Sequence, residues 1–455
     1  MSGYAIPELS ALQSPSGIVR VPPEIDIPVT PRVTKLIDSS AFRRLLHISQ
    51  LGLVSQVYPG ATHARFEHSL GVYRNGLLFL QRLGSLPEFT NAVTTADAEL
   101  LVVAGLLHDI GHWPFCHPIE DMRLDGVARH EELARDFLLN SDLSENLRSD
   151  WGLSVEAVAE LLSPSDKMNP KYPLLGSILS GPIDIDKLDY LDRDSLHAGV
   201  PYGRNFDRNR LISQLCVGPD SKSLAITDKA RTAAEMMVFA RYVMFSEVYW
   251  HHTVRSATAM LQRIVWEILQ SPRVADAGGV SLLNTWQKIS EAEFIAKLIK
   301  FSQATPVSSM VDGLFGPKRI LYKRLAEYHS LESLEIHRAL ARRPYPALVE
   351  FGNRLGEQLA KEAKIDINPY DVLVDAPPMK LEVQFNVQVR QSSGDFLHLG
   401  ELSPVARTLA SHQFDNLVKR VRIFVAPHLK ETLRKHDLGA IILRVLADDS
   451  CPIGS

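Results

Sequence analysis

Three short segments of this chain carry the side chains best suited to bind a metal ion. They contribute His68, the dipeptide His108-Asp109 and Asp186, which lie far apart in the sequence. The dipeptide follows an apolar run, Leu100–Leu107, which predicts a buried helix, and a core cannot solvate ionisable groups. A metal ion bound by both side chains would partner them, although a His-Asp pair at a helix end is also compatible with an ordinary cap.

The four side chains form a chemically consistent set of ligands. Two imidazoles and two carboxylates suit manganese, iron, nickel, cobalt or zinc, whereas magnesium is less suited to imidazole. A divalent metal in such a site lowers the pKa of bound water and polarises a phosphate group. The residues therefore predict a hydrolytic metal centre.

Histidines are concentrated in the stretch that begins at this dipeptide. Four of the 16 histidines of the chain, His108, His112, His117 and His130, lie within this short stretch. Imidazoles beside a metal can bind phosphate oxygens or transfer protons. A run of surface histidines is the alternative interpretation.

The segment that begins at Asp186 has the spacing of one helix face. Asp186, Asp189, Tyr190 and Arg193 recur at helical intervals, so their side chains share a face. The acidic residues of this segment repel one another unless a cation lies among them. A metal ion is one such cation, and a surface helix neutralised by its own Lys187 and Arg193 is the other interpretation.

Helices must position these residues, and the hydrophobic pattern predicts helices through most of the chain. One is expected over Arg65–Leu80, and one over the apolar run, closed by Gly111. A single long helix is expected over Ala230–Leu269. The first 31 residues contain six prolines, which predicts an extended or irregular arm.

The pattern changes toward strands after Pro369. Strands are predicted at Asp371–Asp375, Leu381–Val389 and Val421–Ala426, and a helix is predicted around Val405–Leu417. The predicted fold class is therefore mainly α, with a helical core and a small C-terminal α+β region.

Composition bounds the class of protein. The 455 residues are 45% hydrophobic and 22% charged, which is typical of a soluble globular protein. A net charge of −4 gives no general case for a nucleic-acid partner. Three scattered cysteines indicate neither a disulfide framework nor a zinc knuckle. With no signal peptide or membrane-spanning stretch in the pattern, we expect a cytoplasmic protein without a membrane partner.

The order His…His-Asp…Asp resembles that of the HD-domain phosphohydrolases. The surrounding residues are similar to the deoxynucleoside triphosphate triphosphohydrolase branch of that family, which includes a vertebrate enzyme with a sterile-alpha-motif domain that has no counterpart in this sequence. The similar stretches are Gln50-Leu51, Pro59–Ala61, Arg65–Val72, His108–His117 and Ile185–Asp194. The implied division is an N-terminal arm (1–31), an HD domain with a helical core (32–270), a helical extension (271–365) and the α+β region (366–455).

The resemblance also implies a role for each matching residue. The implied metal ligands are His68, His108, Asp109 and Asp186. The implied contacts to a triphosphate are Arg65, His112, His117, His130, Lys187 and Tyr190, and the implied contacts to the deoxyribose are Gln50, Leu51 and Asp194, the last at the 3′-hydroxyl. Of these, His112, His117, His130 and Asp194 are the implied catalytic residues, with His117 as proton donor to the leaving oxygen.

The implied reaction is attack of water on the α-phosphorus of a deoxynucleoside triphosphate, which releases deoxynucleoside and intact triphosphate. The implied cofactor is a divalent transition metal (Mn, Fe, Ni, Co or Zn), with an additional Mg²⁺ beside it. The implied partners are the nucleotide and further copies of the chain, as a dimer or tetramer.

Part of the sequence departs from the family pattern. GTP-activated members carry an Asp-Pro-Ile-His-Gly motif where this chain has residues 19–24 without it, and Leu46 cannot hydrogen-bond a nucleotide. This departure predicts that GTP does not activate the protein in the familiar way, or that the protein uses a different effector.

Two other functions use the same scaffold. A phosphodiesterase or nuclease acting on single-stranded nucleic acid, or on a cyclic or modified nucleotide, would need the same ligands. Basic pairs such as Lys318-Arg319 and Arg342-Arg343 would serve a nucleic-acid substrate. A non-catalytic nucleotide sensor is disfavoured because none of the four metal ligands is missing.

Overall fold

The computed structural model describes residues 3–276, 278–303, 305–377, 387–409 and 418–448. Most of the strand predicted at Leu381–Val389 and the second half of the helix predicted around Val405–Leu417 lie outside these residues. The described parts of those two predictions contain a strand at Gln388–Arg390 and a helix at Pro404–Thr408.

Helices make up most of the described chain, as the sequence predicts. In chain order they are α1 (Pro7–Ala11), α2 (Pro31–Ile37), α3 (Ser40–Arg43), α4 (Arg65–Leu83), α5 (Pro87–Thr90), α6 (Thr95–Leu107), α7 (Cys116–Glu120), α8 (His130–Leu139), α9 (Leu143–Trp151), α10 (Val155–Leu162), α11 (Pro173–Ser180), α12 (Ile185–Ala198), α13 (Arg208–Ser213), α14 (Arg231–Met244), α15 (His252–Gln270), α16 (Pro272–Ala275), α17 (Val280–Trp286), α18 (Glu291–Ser302), α19 (Ser308–Phe315), α20 (Leu334–Leu340), α21 (Tyr345–Ala363), α22 (Leu399–Leu402), α23 (Pro404–Thr408), α24 (Lys430–Leu433) and α25 (Leu438–Ala447). Of the helices described, none is long and apolar enough to cross a membrane.

The strands form three small sheets. They are β1 (Ile18–Val21), β2 (Ile25–Pro28), β3 (Leu215–Val217), β4 (Leu224–Thr227), β5 (Lys323–Tyr328), β6 (Val372–Asp375), β7 (Gln388–Arg390), β8 (Phe396–His398) and β9 (Val421–Val425). The first sheet is the hairpin β1-β2, the second has the order β3-β4-β7-β8, and the third has the order β5-β9-β6. Only the β4-β7 pair is parallel among the described pairs.

The chain folds into two compact units that alternate along the sequence. The first unit consists of Met1–His112, Arg129–Met244 and Gln384–Ala410. The second consists of Trp113–Ala128, Phe245–Val383 and Ser411–Ser455. The four-part division expected from the sequence stays a prediction.

Helices α4, α6 and α12 form the centre of the first unit. Helix α6 begins with a capping box of Thr94 and Asp97 and is apolar on all sides, so it is buried. Helix α12 lies close to α4 at Gly71, where a Cβ atom would overlap the carboxylate of Asp189 and the guanidinium of Arg193. This approach brings the beginnings of α4 and α12 to the end of α6.

The predicted end of the helix after the apolar run is wrong. Helix α6 ends at Leu107, with His108 as its C-cap, rather than at Gly111. The reason is that the carbonyls of Ile110 and His112 accept hydrogen bonds from the Arg44 guanidinium, at 2.6 and 2.8 Å, instead of continuing a helix.

The single long helix predicted over Ala230–Leu269 is interrupted. A π-helical turn at Phe245–Tyr249 follows α14, and the Trp250 N–H donates to the Phe245 carbonyl at 2.8 Å. The His251 side chain then accepts from the Thr253 N–H and begins α15 as a new helix. The N-terminal arm is largely as predicted, with a hairpin and the short helix α1.

The second unit has its own core around the sheet β5-β9-β6. Helix α21 packs its apolar stripe on β6 and α25, and the buried residues include Phe351, Leu355, Val372 and Ile423. The predicted strands at Asp371–Asp375 and Val421–Ala426 are confirmed as β6 and β9.

Candidate metal centre and active site

Each of the four predicted ligands lies at or next to a helix end. His68 is in the first turn of α4, His108 caps the end of α6 with Asp109 directly after it, and Asp186 is in the first turn of α12. Helix ends carry unpaired backbone groups and tolerate polar side chains. The sequence can therefore place all four at the centre of the unit without interrupting a helix.

The ligand atoms of these residues converge. The two Nε2 atoms of His68 and His108 lie 3.2 Å apart, and the Asp186 Oδ1 lies 3.1 Å from His68 Nε2 and 3.8 Å from His108 Nε2. One ligand atom from each of these three residues falls within 4.8 Å of the others. Asp109 completes the set, with oxygens 3.4 Å from His108 Nε2 and 3.9 Å from His68 Nε2.

A hydrogen bond at Nδ1 of each imidazole fixes the ring so that Nε2 faces the cluster. His68 Nδ1 lies 2.8 Å from an Asp189 carboxylate oxygen, and His108 Nδ1 lies 3.0 Å from the Gly105 carbonyl. Both partners are acceptors, so both Nδ1 atoms carry hydrogen and both Nε2 atoms face the cluster. Two Nε2 atoms beside two carboxylates call for positive charge between them, supplied by a proton in the metal-free protein or by a metal ion, so the residues fit a divalent metal ion.

The electrostatics of the cluster lead to the same conclusion. Burial of His68 disfavours its charged form, yet hydrogen bonds with Asp186 and Asp189 outweigh burial and raise the pKa of His68 to about 10. Burial opposes ionisation of Asp109 too, but the charges of His112, His108, Arg65 and His68 hold the pKa of that carboxyl well below its usual range. The pocket therefore stabilises positive charge between ionised carboxylates.

Asp109 is held from two sides. The Arg65 guanidinium donates to its Oδ2 at 2.8 Å, and His112 Nδ1 lies 3.0 Å from its Oδ1. Such contacts orient a ligating carboxylate. Arg65 is buried, so its charge is also available to a bound anion in a site of low dielectric.

Behind His68 lies a row of charges that the sequence predictions did not assign to the site. Asp189 accepts two hydrogen bonds from Arg193, both at 2.8 Å, and Arg193 also donates to Glu67 at 2.5 Å. Burial opposes ionisation of Asp189, but Arg193 and His68 lower the pKa of the carboxyl well below its usual range. The i, i+4 spacing of Asp189 and Arg193 was the available signal for this pair.

His63 is a further residue that the predictions did not assign to the site. Its Nε2 lies 2.9 Å from Asp194 Oδ1, and its ring stacks on His197 with centroids 4.2 Å apart. Asp194, the predicted contact of the 3′-hydroxyl, is thus held by a buried imidazole. His63 and Asp194 are 131 positions apart, so no local spacing could have paired them.

The predicted triphosphate contacts of the first unit have defined surroundings. His112 and His130 lie ring against ring, with centroids 4.4 Å apart. His108 and His130 line a cavity of about 230 Å³. The Lys187 ammonium donates to Asp184 at 2.5 Å and to the Gly181 carbonyl at 3.0 Å.

Tyr190 is half-buried on α12. Burial raises the pKa of its hydroxyl, while the charges of Arg241 and Lys187 oppose that rise. The ring is therefore neutral and apolar at physiological pH.

The predicted sugar contacts lie in the segment before α4. Gln50 and Leu51 are half-buried, and the Gln50 N–H donates to the His63 carbonyl at 2.9 Å. The Gln50 side-chain oxygen is buried and has no hydrogen-bond partner in the described chain. A buried acceptor without a donor is costly, and a ligand hydroxyl would satisfy it.

His117 belongs to the second unit, where it is exposed on α7. Its predicted place beside the metal centre therefore stays a prediction.

Two protein-family models match the chain. The model of the HD domain matches residues 65–194, the range in which the four predicted ligands lie. The model of the HD associated region matches residues 206–443.

Curated relatives are similar over different lengths. An uncharacterised protein of Methanocaldococcus jannaschii is 28% identical over 93% of this chain and 82% of its own length. The uncharacterised protein YwfO of Bacillus subtilis is 34% identical over 50% of each chain. The deoxynucleoside triphosphate triphosphohydrolase SAMHD1 of Gallus gallus is 32% identical over 53% of this chain and 44% of its own length. Apart from the Methanocaldococcus protein, the aligned region thus spans about half the length of these relatives.

Solved structures share the fold. A hypothetical protein from Aquifex aeolicus superimposes with a TM-score of 0.67 at 26% identity, over 92% of this chain and 99% of its own. A phosphohydrolase from Bacteroides thetaiotaomicron superimposes with a TM-score of 0.65 at 23% identity, over 90% and 99%.

Proposed function

The chain belongs to the HD-domain family, and from that premise we propose that it hydrolyses deoxynucleoside triphosphates to deoxynucleoside and triphosphate. The observation that carries the proposal is the convergence of His68, His108, Asp109 and Asp186 on one point. The deoxynucleoside triphosphate triphosphohydrolase activity of SAMHD1, a relative of about 30% identity over half of the chain, supports the choice of substrate.

A divalent transition metal would be held by these four residues. Manganese, iron, nickel, cobalt and zinc all accept such ligands, and an additional Mg²⁺ accompanies the triphosphate. When bound, the metal polarises the α-phosphate and lowers the pKa of a coordinated water. The Asp186 side chain keeps 31% of its surface exposed, so the site is open to substrate on that side.

The surrounding cations position the phosphates. A triphosphate brings about four negative charges, and Arg65 and Lys187 offer cationic donors, with the adjacent rings of His112 and His130 as further hydrogen-bonding groups. Lys187 now donates to Asp184, where burial opposes its charge but Asp184 raises the pKa of the ammonium. It therefore stays a cation that can exchange a carboxylate for a phosphate oxygen.

Two polar side chains are proposed to recognise the sugar. Gln50 offers its unpaired side-chain oxygen, and Asp194, held by His63, accepts from the 3′-hydroxyl. The neutral Tyr190 ring against the sugar leaves no room for a 2′-hydroxyl, which selects deoxynucleotides.

The bond changes balance with water as the second substrate. An oxygen of water forms a bond to the α-phosphorus, and the bond from that phosphorus to the 5′-oxygen of the sugar breaks. The 5′-oxygen takes a proton, for which His117 is the proposed donor, as the resemblance to the family implies. The products are a deoxynucleoside with a free 5′-hydroxyl and triphosphate.

The experiment that tests the proposal is chromatographic product analysis of manganese-loaded protein with each of the four deoxynucleoside triphosphates, with and without GTP. We expect deoxynucleoside and triphosphate in equal amounts, and rates that do not require GTP. Asp186→Asn is expected to abolish turnover, whereas Asp192→Asn on the same helix serves as matched control and keeps it. Turnover of single-stranded DNA or RNA instead of all four nucleotides would replace the proposal with the nuclease alternative.

A further inference from the structure

The second unit contains a large cavity that shares none of its lining residues with the metal centre. It measures about 940 Å³ and lies between the turn Asp121–Asp125, helix α15, the beginning of α21 and strand β6. Sites for small molecules and cofactors typically measure about 300–1,000 Å³. The cavity therefore has the size of a ligand site, and the proposed hydrolysis makes no use of it.

One wall of the cavity is aromatic. Trp266 of α15 is half-buried, and its ring meets the ring of Tyr345 edge to face, with centroids 6.1 Å apart. Leu269 and Leu348 extend this wall with aliphatic surface. Because the edge of one ring packs on the other, the pair forms a rigid apolar surface that suits a flat ring.

The charges of the lining are predominantly positive. Four arginines line the cavity, against two aspartates. Arg255 is already neutralised, since it donates to both oxygens of the buried Asp375. Arg342 is different, because it is exposed and forms no ion pair with any described carboxylate.

The backbone of Arg342 has an unfavourable conformation. Its φ is +71°, and its N–H donates to the Pro377 carbonyl at 3.4 Å. Arg123, which also lines the cavity, has a positive φ as well, of +51°. Residues other than glycine rarely adopt this conformation, and such strain concentrates at binding sites. Two of the six described cases in this chain line the same cavity.

We propose that this cavity binds a small planar aromatic anion, with its ring against Trp266 and Tyr345 and its acidic group at Arg342. A neutral ring would leave the arginine without a partner, and a small anion without a ring would leave the apolar wall exposed to water. The lining thus selects for both features in one molecule. The Arg342-Arg343 pair, noted in the sequence as a candidate for nucleic-acid contact, serves a small ligand in this proposal.

Calorimetric titration of the full-length protein tests both features with three probes. The probes are 2-naphthoate, its neutral analogue 2-naphthalenemethanol, and acetate as an anion without a ring. Of these three probes, we expect only 2-naphthoate to bind measurably, with a dissociation constant below about 1 mM. A parallel titration with naphthalene-2-sulfonate distinguishes a carboxylate site from a site for tetrahedral anions such as aryl phosphates, according to which probe binds more tightly.

Variants locate the binding. Arg342→Ala and Trp266→Ala are each expected to weaken 2-naphthoate binding at least tenfold, because each removes one of the two contacts. Arg338→Ala, an exposed arginine of α20 outside the lining, is the matched control and keeps wild-type affinity. Trp266→Phe keeps a ring and retains most of the affinity, which guards against a general folding defect in Trp266→Ala.

Several results would overturn the proposal. They are equal affinity for the three probes, no binding of 2-naphthoate at millimolar concentration, and wild-type affinity in Arg342→Ala. None of these results would count against the proposed hydrolysis at the metal centre. The two sites are independent in this proposal, so Asp186→Asn is expected to bind 2-naphthoate with wild-type affinity.

Discussion

Gly71→Ala is the substitution that most sharply tests how the metal centre is built. A Cβ atom at this position would come closer than 3.0 Å to the Asp189 carboxylate and the Arg193 guanidinium. Both groups are buried and are fixed by their mutual hydrogen bonds, so neither can move without breaking the pair. Overpacking of a core costs about 1–3 kcal/mol, and breaking a buried ion pair costs about 3–5 kcal/mol. We therefore expect a loss of about 3–5 kcal/mol in the free energy of unfolding.

The same displacement affects the metal. Asp189 orients His68 through Nδ1, and loss of such a partner lowers metal affinity about 10- to 100-fold. Urea unfolding and metal analysis after dialysis against limiting Mn²⁺ measure the two effects.

Gly176→Ala on α11 is the matched control, since a Cβ atom there would meet nothing within 4 Å. A helix gains about 0.5–1 kcal/mol from this change. If Gly71→Ala retained wild-type stability and metal content, the close approach of α4 and α12 would not hold Asp189 in place.

Three further predictions concern the metal, its supporting residues and the second unit. Asp189→Asn is expected to keep helical circular dichroism but to lower Mn²⁺ affinity about 10- to 100-fold, and calorimetry showing equal affinity would contradict the proposed support of His68. EDTA is expected to lower the melting temperature of the loaded wild type, because metal at 100 times its dissociation constant adds about 2.7 kcal/mol to the free energy of unfolding. The melting temperature of Asp186→Asn is expected to stay unchanged, and equal shifts in the two proteins would place the metal elsewhere. At Glu327, burial raises the pKa, but Arg324, Arg420 and Arg422 outweigh it and hold the pKa below its ordinary value of 4.5. Its ion pairs therefore stabilise the protein above about pH 4.5 and are lost as the pH falls below it, so Glu327→Gln is expected to lose less stability on acidification in urea titrations, and parallel curves would refute this.

Residue types and short-range spacing indicated a metal site, and the family resemblance supplied the predicted set of four ligands. A His-Asp pair at the end of an apolar helix and an acidic helix face both predict a cation, and the structure brings these groups together with His68. The support for these ligands was less predictable. The contact of His63 with Asp194 and that of Glu67 with Arg193 join residues more than 120 positions apart, and only the packing of α4 on α12 creates them.

The fold shows the same limit. The absence of proline over Arg65–Leu80 predicted α4, and the short segment Val421–Ala426 was predicted as the strand that is β9. The break between α14 and α15 was missed because apolar spacing continues through the π-helical turn at Phe245–Tyr249. Strand β5 was missed because its residues are half-exposed on both faces, so no alternation marks it, and its partner β9 lies far along the chain.

The central claim is cleavage of the bond between the α-phosphorus and the 5′-oxygen of a deoxynucleoside triphosphate. Hydrolysis in ¹⁸O-labelled water, followed by mass spectrometry of both products, tests it directly. The account predicts one ¹⁸O atom in the triphosphate and none in the deoxynucleoside, with no products from Asp186→Asn. Label in the 5′-hydroxyl, or formation of a nucleoside monophosphate and pyrophosphate, would contradict it.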